Sequence, residues 1–318
     1  MNFGEIIKKE ILSKNIKEIH CRKAFLAGLI RGSGTLFEKD NELCLSFRIN
    51  NEEGAMLISS YLKSLFDYDV REVSVHEDKR NNRDKFEITI SGEEGVKILI
   101  DLGVLLEEKN DLIVNFNIFN DLTEKECCLK SFLRGLFVSS GVCLVPNYND
   151  SKNTKYHLEL VFSHIQPAMD VNGKLIEYGI FGKVTNRKDK YVLYIKKKEK
   201  IKDFIAFINA NVSVLKLTDL MINKEMVNDA NRRMNCDMWN VNKQVDASHK
   251  QIKAIEIIEK NKGLDSLKKN LRDVCLLRRE YPEETLLELS ERINLSKSCL
   301  NHRLRKIIEI AKEIEGEN

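Results

Sequence analysis

The hydrophobic pattern changes period several times in the first two thirds of this 318-residue chain. Apolar and polar residues alternate over residues 35–50, as in a half-buried β-strand pair. Over residues 52–66 the apolar residues recur every three or four positions, as in an amphipathic α-helix. A second alternating region with a polar turn and a second helical region follow. The pattern predicts helix, hairpin, helix, hairpin and helix over about residues 21–110.

The same order of elements returns after residue 124. A helix that ends in "FLRGLFVSSG" precedes a hairpin with a long polar loop, a helix over residues 166–178, another hairpin and a closing helix. The two units, about residues 21–110 and 124–210, each begin with a Leu-X-Gly-Leu helix, and these two motifs lie 107 positions apart. We therefore predict an α+β domain over residues 21–215, built from two αββαββα repeats that each carry a four-stranded sheet.

Glycines cluster in the two Leu-X-Gly-Leu helices although the whole chain has only 15 glycines. If the helices cross on a pseudo-two-fold axis, Gly28, Gly32 and Gly135 remove side chains that would hold the backbones apart. Gly34 and Gly141 stand where each helix gives way to a strand. Two ordinary buried helices would explain either copy, but the duplication favours a close helix crossing.

Composition excludes several classes of protein. The net charge is only +3, so a polyanionic partner must be recognised locally. The eight cysteines form no CxxC pair and lack zinc-finger histidine spacing, so we expect reduced thiols, no metal and no cofactor. The first 20 residues predict a charged N-terminal helix rather than a signal peptide, and no apolar run suits a membrane span. We therefore expect a cytoplasmic protein.

Residues 216–262 predict a helical linker without strand alternation, rich in asparagine and basic residues. Arg232 and Arg233 within it could contact a phosphate backbone. A solvated helical connector explains this arginine pair equally well.

Residues 263–318 predict three helices in a helix-turn-helix arrangement. The first covers about residues 264–280, and Pro282 suits the first turn of the second. Ser296 is a natural N-cap for the third helix, on which Leu300, Leu304, Ile307 and Ile308 form an apolar stripe. Leu286, Leu289, Ile293 and Leu295 complete the expected core.

The third helix predicts a duplex-DNA contact. Four Lys or Arg and no acidic residue lie between Ser296 and Lys306, and Asn and Arg are the types that bind adenine and guanine edges. A helical dimerisation bundle with a basic face is the alternative. The predicted base-reading residues are Ser298, Asn301, His302 and Arg305, and the predicted phosphate contacts are Ser296, Lys297, Arg303 and Lys306.

The duplicated half resembles the LAGLIDADG family of DNA-cutting homing enzymes, whose two motif helices form the interface between αββαββα halves. That resemblance implies saddle-shaped sheets over DNA and a metal-ligating acid before the last glycine of each motif. Ser33 and Ser140 occupy those positions here, and the earlier acidic position holds Arg31 or Val138. Because a neutral hydroxyl cannot replace a carboxylate on Mg²⁺, we expect no catalysis.

No other catalytic or cofactor motif stands out. His157 and His164 flank a strand without further ligands at metal spacing, and "GSGTLF" lacks the Lys-Ser/Thr ending of a P-loop. A small-molecule substrate is therefore not indicated.

Together the two halves resemble the WhiA family of bacterial regulators, and the similarity extends over nearly the whole chain. Its most specific phrases are "LAGLIRGSG", "NRRMNCDMWNVNK" and "LSKSCLNHRLRKI". The resemblance implies a non-cleaving, nucleoid-associated protein that binds duplex DNA in transcription control, sporulation, cell division or chromosome segregation. Other transcription factors or RNA polymerase are the implied protein partners.

Three alternatives stay open at this point. The chain could be an active LAGLIDADG nuclease, an RNA maturase, or a scaffold that binds a protein through the saddle. The saddle sheets could also add non-specific DNA contacts through Arg48, Lys155, Lys196 or Lys198.

Overall fold

The computed structural model describes residues 2–70, 72–78, 83–109, 111–118, 120–146 and 155–316. The chain divides into two compact units, Met1–Ile222 and Asn223–Asn318. Parts of the two predicted polar turns, residues 79–82 and 147–154, lie outside the described residues. Within the described part of the chain, no helix is long and apolar enough to span a bilayer.

The first unit consists of helices and two four-stranded antiparallel sheets. Its helices are α1 (Phe3–Leu12), α2 (Ile19–Ser33), α3 (Glu52–Phe66), α4 (Gly92–Asp101), α5 (Glu126–Ser140), α6 (Ile165–Glu177), α7 (Lys198–Phe207) and the beginning of α8 (Asn211–Lys262). Its strands are β1 (Thr35–Lys39), β2 (Glu42–Ile49), β3 (Glu72–Asp78), β4 (Arg83–Ile90), β5 (Leu105–Glu108), β6 (Asp111–Val114), β7 (Gly141–Leu144), β8 (His157–Phe162), β9 (Lys183–Arg187) and β10 (Lys190–Ile195).

Both repeats have the same topology. The first sheet has the order β1-β2-β4-β3 and the second has the order β7-β8-β10-β9. Each boundary of α5 lies 107 positions after the matching boundary of α2, at Ile19 and Glu126 and at Ser33 and Ser140. The predicted α+β fold with two αββαββα repeats is therefore confirmed.

The helices α2 and α5 cross with their backbones in contact. A Cβ atom on Gly28 would lie 1.9 Å from the carbonyl oxygen of Phe132, and one on Gly135 would lie 2.0 Å from that of Phe25. The contact is reciprocal, as a pseudo-two-fold axis between the repeats requires. A Cβ on Gly32 would meet Ser139 Oγ at 2.0 Å, so the helices stay close towards their C-terminal ends.

Gly34 and Gly141 end these helices by close approach and not by a left-handed turn. Their φ angles are −65° and −75°, which other residues adopt readily. A Cβ on Gly34 would lie 2.5 Å from the carbonyl oxygen of Ile30, and one on Gly141 would lie 2.5 Å from that of Phe137. The glycines let the chain turn into the strand directly against the last helical turn.

A two-stranded hairpin lies between the repeats and was missed in the sequence. It consists of β5 and β6, and it follows a helix that ends at Asp101, earlier than the sequence pattern indicated. Its apolar stretches are too short to show a period. Arg31 on α2 fixes the hairpin, because its guanidinium donates to the carbonyl oxygen of Gly103 at 2.8 Å and to that of Asn115.

The predicted N-terminal helix over residues 1–20 is shorter than expected. Helix α1 ends at Leu12, and it packs into the core of the first unit through Phe3, Ile7 and Ile11. Its Glu10 carboxylate accepts hydrogen bonds from the backbone N–H groups that begin α8, at 3.0 and 2.8 Å. The segment therefore belongs to the first unit and caps the long helix.

The second unit contains the rest of α8 together with α9 (Lys269–Glu280), α10 (Leu286–Arg292) and α11 (Lys297–Gly316). The predicted linker is thus one continuous helix, and its end contributes to the core of this unit. The first helix predicted for residues 264–280 begins instead as a 3₁₀ turn, Leu264–Ser266, before α9. The buried apolar residues of the unit are Ala254, Ile255, Ile258, Val274, Cys275, Leu289, Leu300, Leu304, Ile307, Ala311 and Ile314.

Pro282 does not lie in the first turn of α10, contrary to the prediction. The helix begins three residues later than the pattern indicated, because Thr285 forms a capping box. The Thr285 hydroxyl accepts from the N–H of Glu288 at 3.2 Å, and the Glu288 carboxylate accepts from the N–H of Thr285 at 2.7 Å. These reciprocal bonds satisfy the free amides and fix the first turn.

The glycine contact predicts opposite effects for two alanine substitutions. Gly28→Ala should lower the free energy of unfolding by about 3 kcal/mol or more, because its methyl group would overlap a backbone carbonyl that cannot rotate away. Gly173→Ala, on α6 with open space around its Cβ position, should stabilise by up to about 1 kcal/mol. Thermal and urea unfolding followed by circular dichroism compare the two. A Gly28→Ala protein as stable as the parent would contradict the close crossing.

Candidate nucleic-acid interface

The turn between α10 and α11 is held by local hydrogen bonds. Asn294 adopts a left-handed conformation with φ of 49°, and the N–H of Leu295 donates to the carbonyl oxygen of Ser290 at 2.9 Å. The Ser296 hydroxyl then accepts from the N–H of Cys299 at 3.2 Å, which caps the first turn of α11. Two helices separated by four residues therefore take up a helix-turn-helix geometry.

Helix α11 has one buried face and one exposed face. Leu300, Leu304 and Ile307 are fully buried, whereas Ile308 is only partly buried at the margin of the core. Ser298, His302 and Arg305 project from the opposite, exposed face in successive turns. Lys297 is exposed at the helix start.

Two of the predicted contact residues lie at the flanks of this exposed face. Asn301 is half-buried and lines a cavity of about 320 Å³ between α8 and α11. Arg303 is half-buried on the other flank, where its Nη1 donates to the carbonyl oxygen of Asn270 at 3.4 Å. The structure thus groups Asn301 with the exposed residues on one side but turns Arg303 towards α9.

Lys306 is exposed but has an acidic neighbour. Its Nζ lies 3.2 Å from the Glu309 carboxylate on the next turn. Part of its positive charge is therefore compensated at the surface.

The cavity brings basic residues of α8 beside the third helix. Lys243 and Lys250 line it together with Asn301 and Arg305, and Asp246 is the acidic residue in the lining. Both lysines are exposed. The long polar helix shows no period that singles these lysines out, and only packing places them next to Arg305.

Arg278 supports the helix-turn-helix from inside. Its side chain is fully buried, and its Nε donates to Gln251 of α8 at 2.7 Å. Its Nη1 donates to the carbonyl oxygens of Tyr281 at 3.3 Å and Glu284 at 2.7 Å, just before α10. Burial lowers the pKa of Arg278, although the nearby Glu284 carboxylate acts in the opposite direction. One guanidinium thus joins α8, α9 and the segment that leads into α10.

Arg232 and Arg233 are exposed on α8. Arg232 lies 3.4 Å from the Asp229 carboxylate in the same helix. Both arginines are therefore accessible to an anion.

Helices α2 and α5 carry the two Leu-X-Gly-Leu motifs and end at Ser33 and Ser140, which are hydroxyl and not carboxylate side chains. Ser33 Oγ is buried and has no hydrogen-bond partner among the described residues, and Ser140 Oγ donates to the carbonyl oxygen of Leu136 at 3.1 Å. Arg31 precedes Ser33 by two residues in α2, and burial lowers its pKa to about 10 while Asp170 acts in the opposite direction. In the described part of the chain, no group of three or more His, Cys, Asp or Glu ligands converges at this end.

The two four-stranded sheets place acidic side chains next to basic ones. In the first sheet Glu87 accepts from Arg48 at 3.4 Å and lies 2.9 Å from His76. Burial would raise the pKa of Glu87, but hydrogen bonds from Ser46, Arg48 and His76 outweigh it and lower the pKa. Arg48 is therefore not a free positive charge.

The second sheet has a matching arrangement. Glu159 is buried between His157 and Arg187, with 3.1 Å between the Arg187 and Glu159 charged groups. Lys155 and Lys196 are exposed, and Lys198 is half-buried near Glu199. His164, the other histidine considered in the sequence, packs against Phe116 with ring centroids 4.2 Å apart.

The N-terminal ends of α2 and α5 bring together four potential metal ligands. They are His20, Cys21, Cys127 and Cys128, and all eight cysteines of the chain are free thiols. Spacing along the chain does not reveal this group, because His20 and Cys21 are more than 100 residues from Cys127 and Cys128. Here the fold assembles ligands from two separate helices.

Three family descriptions match the chain in succession. The WhiA N-terminal LAGLIDADG-like domain matches residues 19–105, the WhiA LAGLIDADG-like domain residues 129–227, and the WhiA C-terminal HTH domain residues 230–311. Together they cover most of the chain.

Similar proteins extend over its full length. Probable cell division protein WhiA of Bacillus licheniformis is 35% identical over 320 residues, which cover 99% of this chain and 98% of the relative. The protein of the same name from Clostridium botulinum is 35% identical over 324 residues, with 99% of both chains covered. The crystal structure of full-length WhiA from Thermatoga maritima has a TM-score of 0.59 at 25% identity and covers 98% of this chain and 99% of that one.

The buried guanidinium predicts a selective loss of stability in the second unit. Arg278→Ala should leave a cavity and three acceptors without a donor, lowering the local free energy of unfolding by about 3 kcal/mol or more. Amide hydrogen exchange in α10 and α11 should then become at least about 100-fold faster. Arg279→Ala, which removes only an exposed ion pair with Glu259, should change exchange little. Equal exchange in both variants would contradict this role for Arg278.

Proposed function

This chain belongs to the WhiA family, and from that premise we propose that it is a non-catalytic, sequence-specific DNA-binding protein that regulates transcription. The observation that carries the proposal is the exposed face of α11. A capped helix in helix-turn-helix geometry presents Ser298, His302 and Arg305 outward, with Asn301 beside them. Such a helix fits the major groove of B-DNA with its first turns against base edges.

The chemistry of each side chain suggests whether it contacts bases or phosphates. Arg305 offers a bidentate donor pair that suits guanine, and Asn301 offers a donor and an acceptor that suit adenine. Ser298 and His302 lie on the same exposed face of α11 as Arg305, in the preceding turns, and complete the proposed base-reading set. Ser296 and Lys297 at the helix start suit phosphate contacts. Arg303 and Lys306 contribute less than the sequence suggested, because each already has a partner in the fold.

Lys243 and Lys250 extend the proposed interface onto α8. They line the same cavity as Arg305, so a phosphate backbone that passes α11 would come within their reach. Arg232 and Arg233, farther along the exposed part of α8, are proposed as additional backbone contacts.

The absence of DNA cleavage is part of the same proposal. Hydrolysis by the LAGLIDADG arrangement needs a divalent cation held by carboxylates at the ends of the motif helices. This chain has Ser33 and Ser140 at those positions, and Arg31 lies two residues before Ser33 in the sequence. Two neutral hydroxyls do not replace carboxylates as ligands of Mg²⁺.

The cellular role is proposed from the relatives. They carry the name probable cell division protein, and we propose that role for this chain. We add sporulation and chromosome segregation to the proposal because the resemblance to the WhiA family implies them. The protein would fulfil this role in the cytoplasm by binding specific promoters on the nucleoid. RNA polymerase or other transcription factors are its proposed protein partners at these promoters.

Arg305→Ala should weaken binding to a duplex selected from a random pool by about 5- to 150-fold, the value of one lost bidentate base contact. Arg305→Lys keeps the charge but loses the fork, so it should weaken specific binding while retaining non-specific binding. Fluorescence anisotropy at several salt concentrations measures both.

Arg279→Ala serves as the matched control, since it removes the same charge from a neighbouring helix. Its affinity should stay within about twofold of the parent, with a nearly unchanged salt dependence. If Arg305→Ala also stayed within that range, α11 would not be the base-reading helix.

Purified protein should not nick supercoiled plasmid that carries the selected site, in Mg²⁺ or in Mn²⁺. Any residual nicking should persist in a Ser33→Ala, Ser140→Ala double variant, which identifies it as contamination. Metal-dependent nicking that disappears in this variant would show that the helix ends retain an active site. The double variant should bind the duplex as tightly as the parent does.

A further inference from the structure

Four metal-ligating side chains converge at the N-terminal ends of the motif helices. His20 and Cys21 lie in the first turn of α2, and Cys127 and Cys128 lie in the first turn of α5. His20 Nδ1 is 3.2 Å from Cys21 Sγ and 3.7 Å from Cys128 Sγ, and all four ligand atoms lie within 4.8 Å of one another. We propose that these residues form a structural binding site for a thiophilic divalent cation, with Zn²⁺ as the expected occupant.

The donor set matches the chemistry of zinc. Three thiolates and one imidazole are a common set of tetrahedral ligands in structural zinc sites. With Zn–S and Zn–N bonds of about 2.3 and 2.1 Å, tetrahedral ligand atoms lie roughly 3.5–3.8 Å apart. The separations in the cluster, from 3.2 Å up to 4.8 Å, bracket this value. Small side-chain rotations would therefore complete the coordination without a backbone change.

Burial raises the pKa of the Cys21 thiol and raises that of Cys128 to about 12, so these two ligands would bind a cation by releasing their protons. The four residues lie in the first turns of α2 and α5, where the helix dipole stabilises a thiolate once it forms. Cys21 and Cys128 are buried, whereas Cys127 is exposed and His20 is half-buried. A hydrogen bond from the Ser131 side chain also reaches Cys21. The site is thus buried on the side of Cys21 and Cys128 and open to solvent on the side of Cys127.

The duplication explains how the cluster arises. His20 and Cys127 occupy equivalent positions in the two repeats, as do Cys21 and Cys128, because the repeats are offset by 107 residues. The cluster therefore lies on the pseudo-two-fold axis, at the end of the helix pair opposite Ser33 and Ser140. An ion there would join the two repeats through residues far apart in the sequence. Its role would be to stabilise the first unit, independently of DNA binding by the second.

Full-length protein expressed in zinc-supplemented medium should retain about one Zn²⁺ per chain after gel filtration, measured by mass spectrometry of the metal. Protein stripped by a chelator should take up Co²⁺ with the absorption bands of a tetrahedral thiolate complex. Cys127→Ser should weaken Zn²⁺ binding at least about 100-fold in competition with a chelating dye. It should remain folded, since this side chain is exposed. His20→Gln should also weaken binding strongly.

Cys236→Ser is the matched control, because Cys236 is another exposed thiol but lies outside the cluster. It should bind Zn²⁺ like the parent. Zinc should raise the unfolding temperature of the parent and of Cys236→Ser, with little effect on Cys127→Ser. The proposal is overturned if the parent binds neither metal, or if Cys127→Ser binds as tightly as Cys236→Ser. A disulfide among these cysteines in the freshly isolated protein would also overturn it.

Discussion

Contact between the backbones of two helices is the constraint on which the first unit depends. Gly28 and Gly135 each face a carbonyl oxygen of the opposite helix, and no larger side chain fits there. Because the contact is reciprocal, it fixes the pseudo-two-fold axis. The two sheets, which have identical strand orders, are then placed as equivalents around that axis.

The same crossing gives the helix pair two chemically different ends. At the C-terminal ends, Ser33 and Ser140 carry neutral hydroxyls, and Arg31 donates to the backbone of the neighbouring β5–β6 hairpin. At the N-terminal ends, His20 and three cysteines converge. Potential metal ligands therefore lie at only one of these two ends among the described residues.

The second unit achieves its geometry with polar bonds around a small core. Thr285 and Ser296 cap the two helices of the helix-turn-helix, and buried Arg278 joins the segment before them to α8. These bonds orient α11 so that Ser298, His302 and Arg305 lie on its exposed face. The long helix α8 contributes both to the core and, through Lys243 and Lys250, to the basic surface beside Arg305.

The sequence by itself determined the duplicated fold, the glycine crossing and the capped third helix, because these depend on period, spacing and local hydrogen bonding. It did not determine the β5–β6 hairpin, the end of α1 at Leu12 or the start of α10 after Thr285. The hairpin and the end of α1 follow from packing, and the start of α10 follows from the capping box at Thr285. Only the tertiary structure turned Arg303 away from the exposed face, placed two lysines of α8 beside Arg305, and joined cysteines from helices 107 residues apart. Such contacts are set by how helices pack against one another, which no local pattern along one chain records.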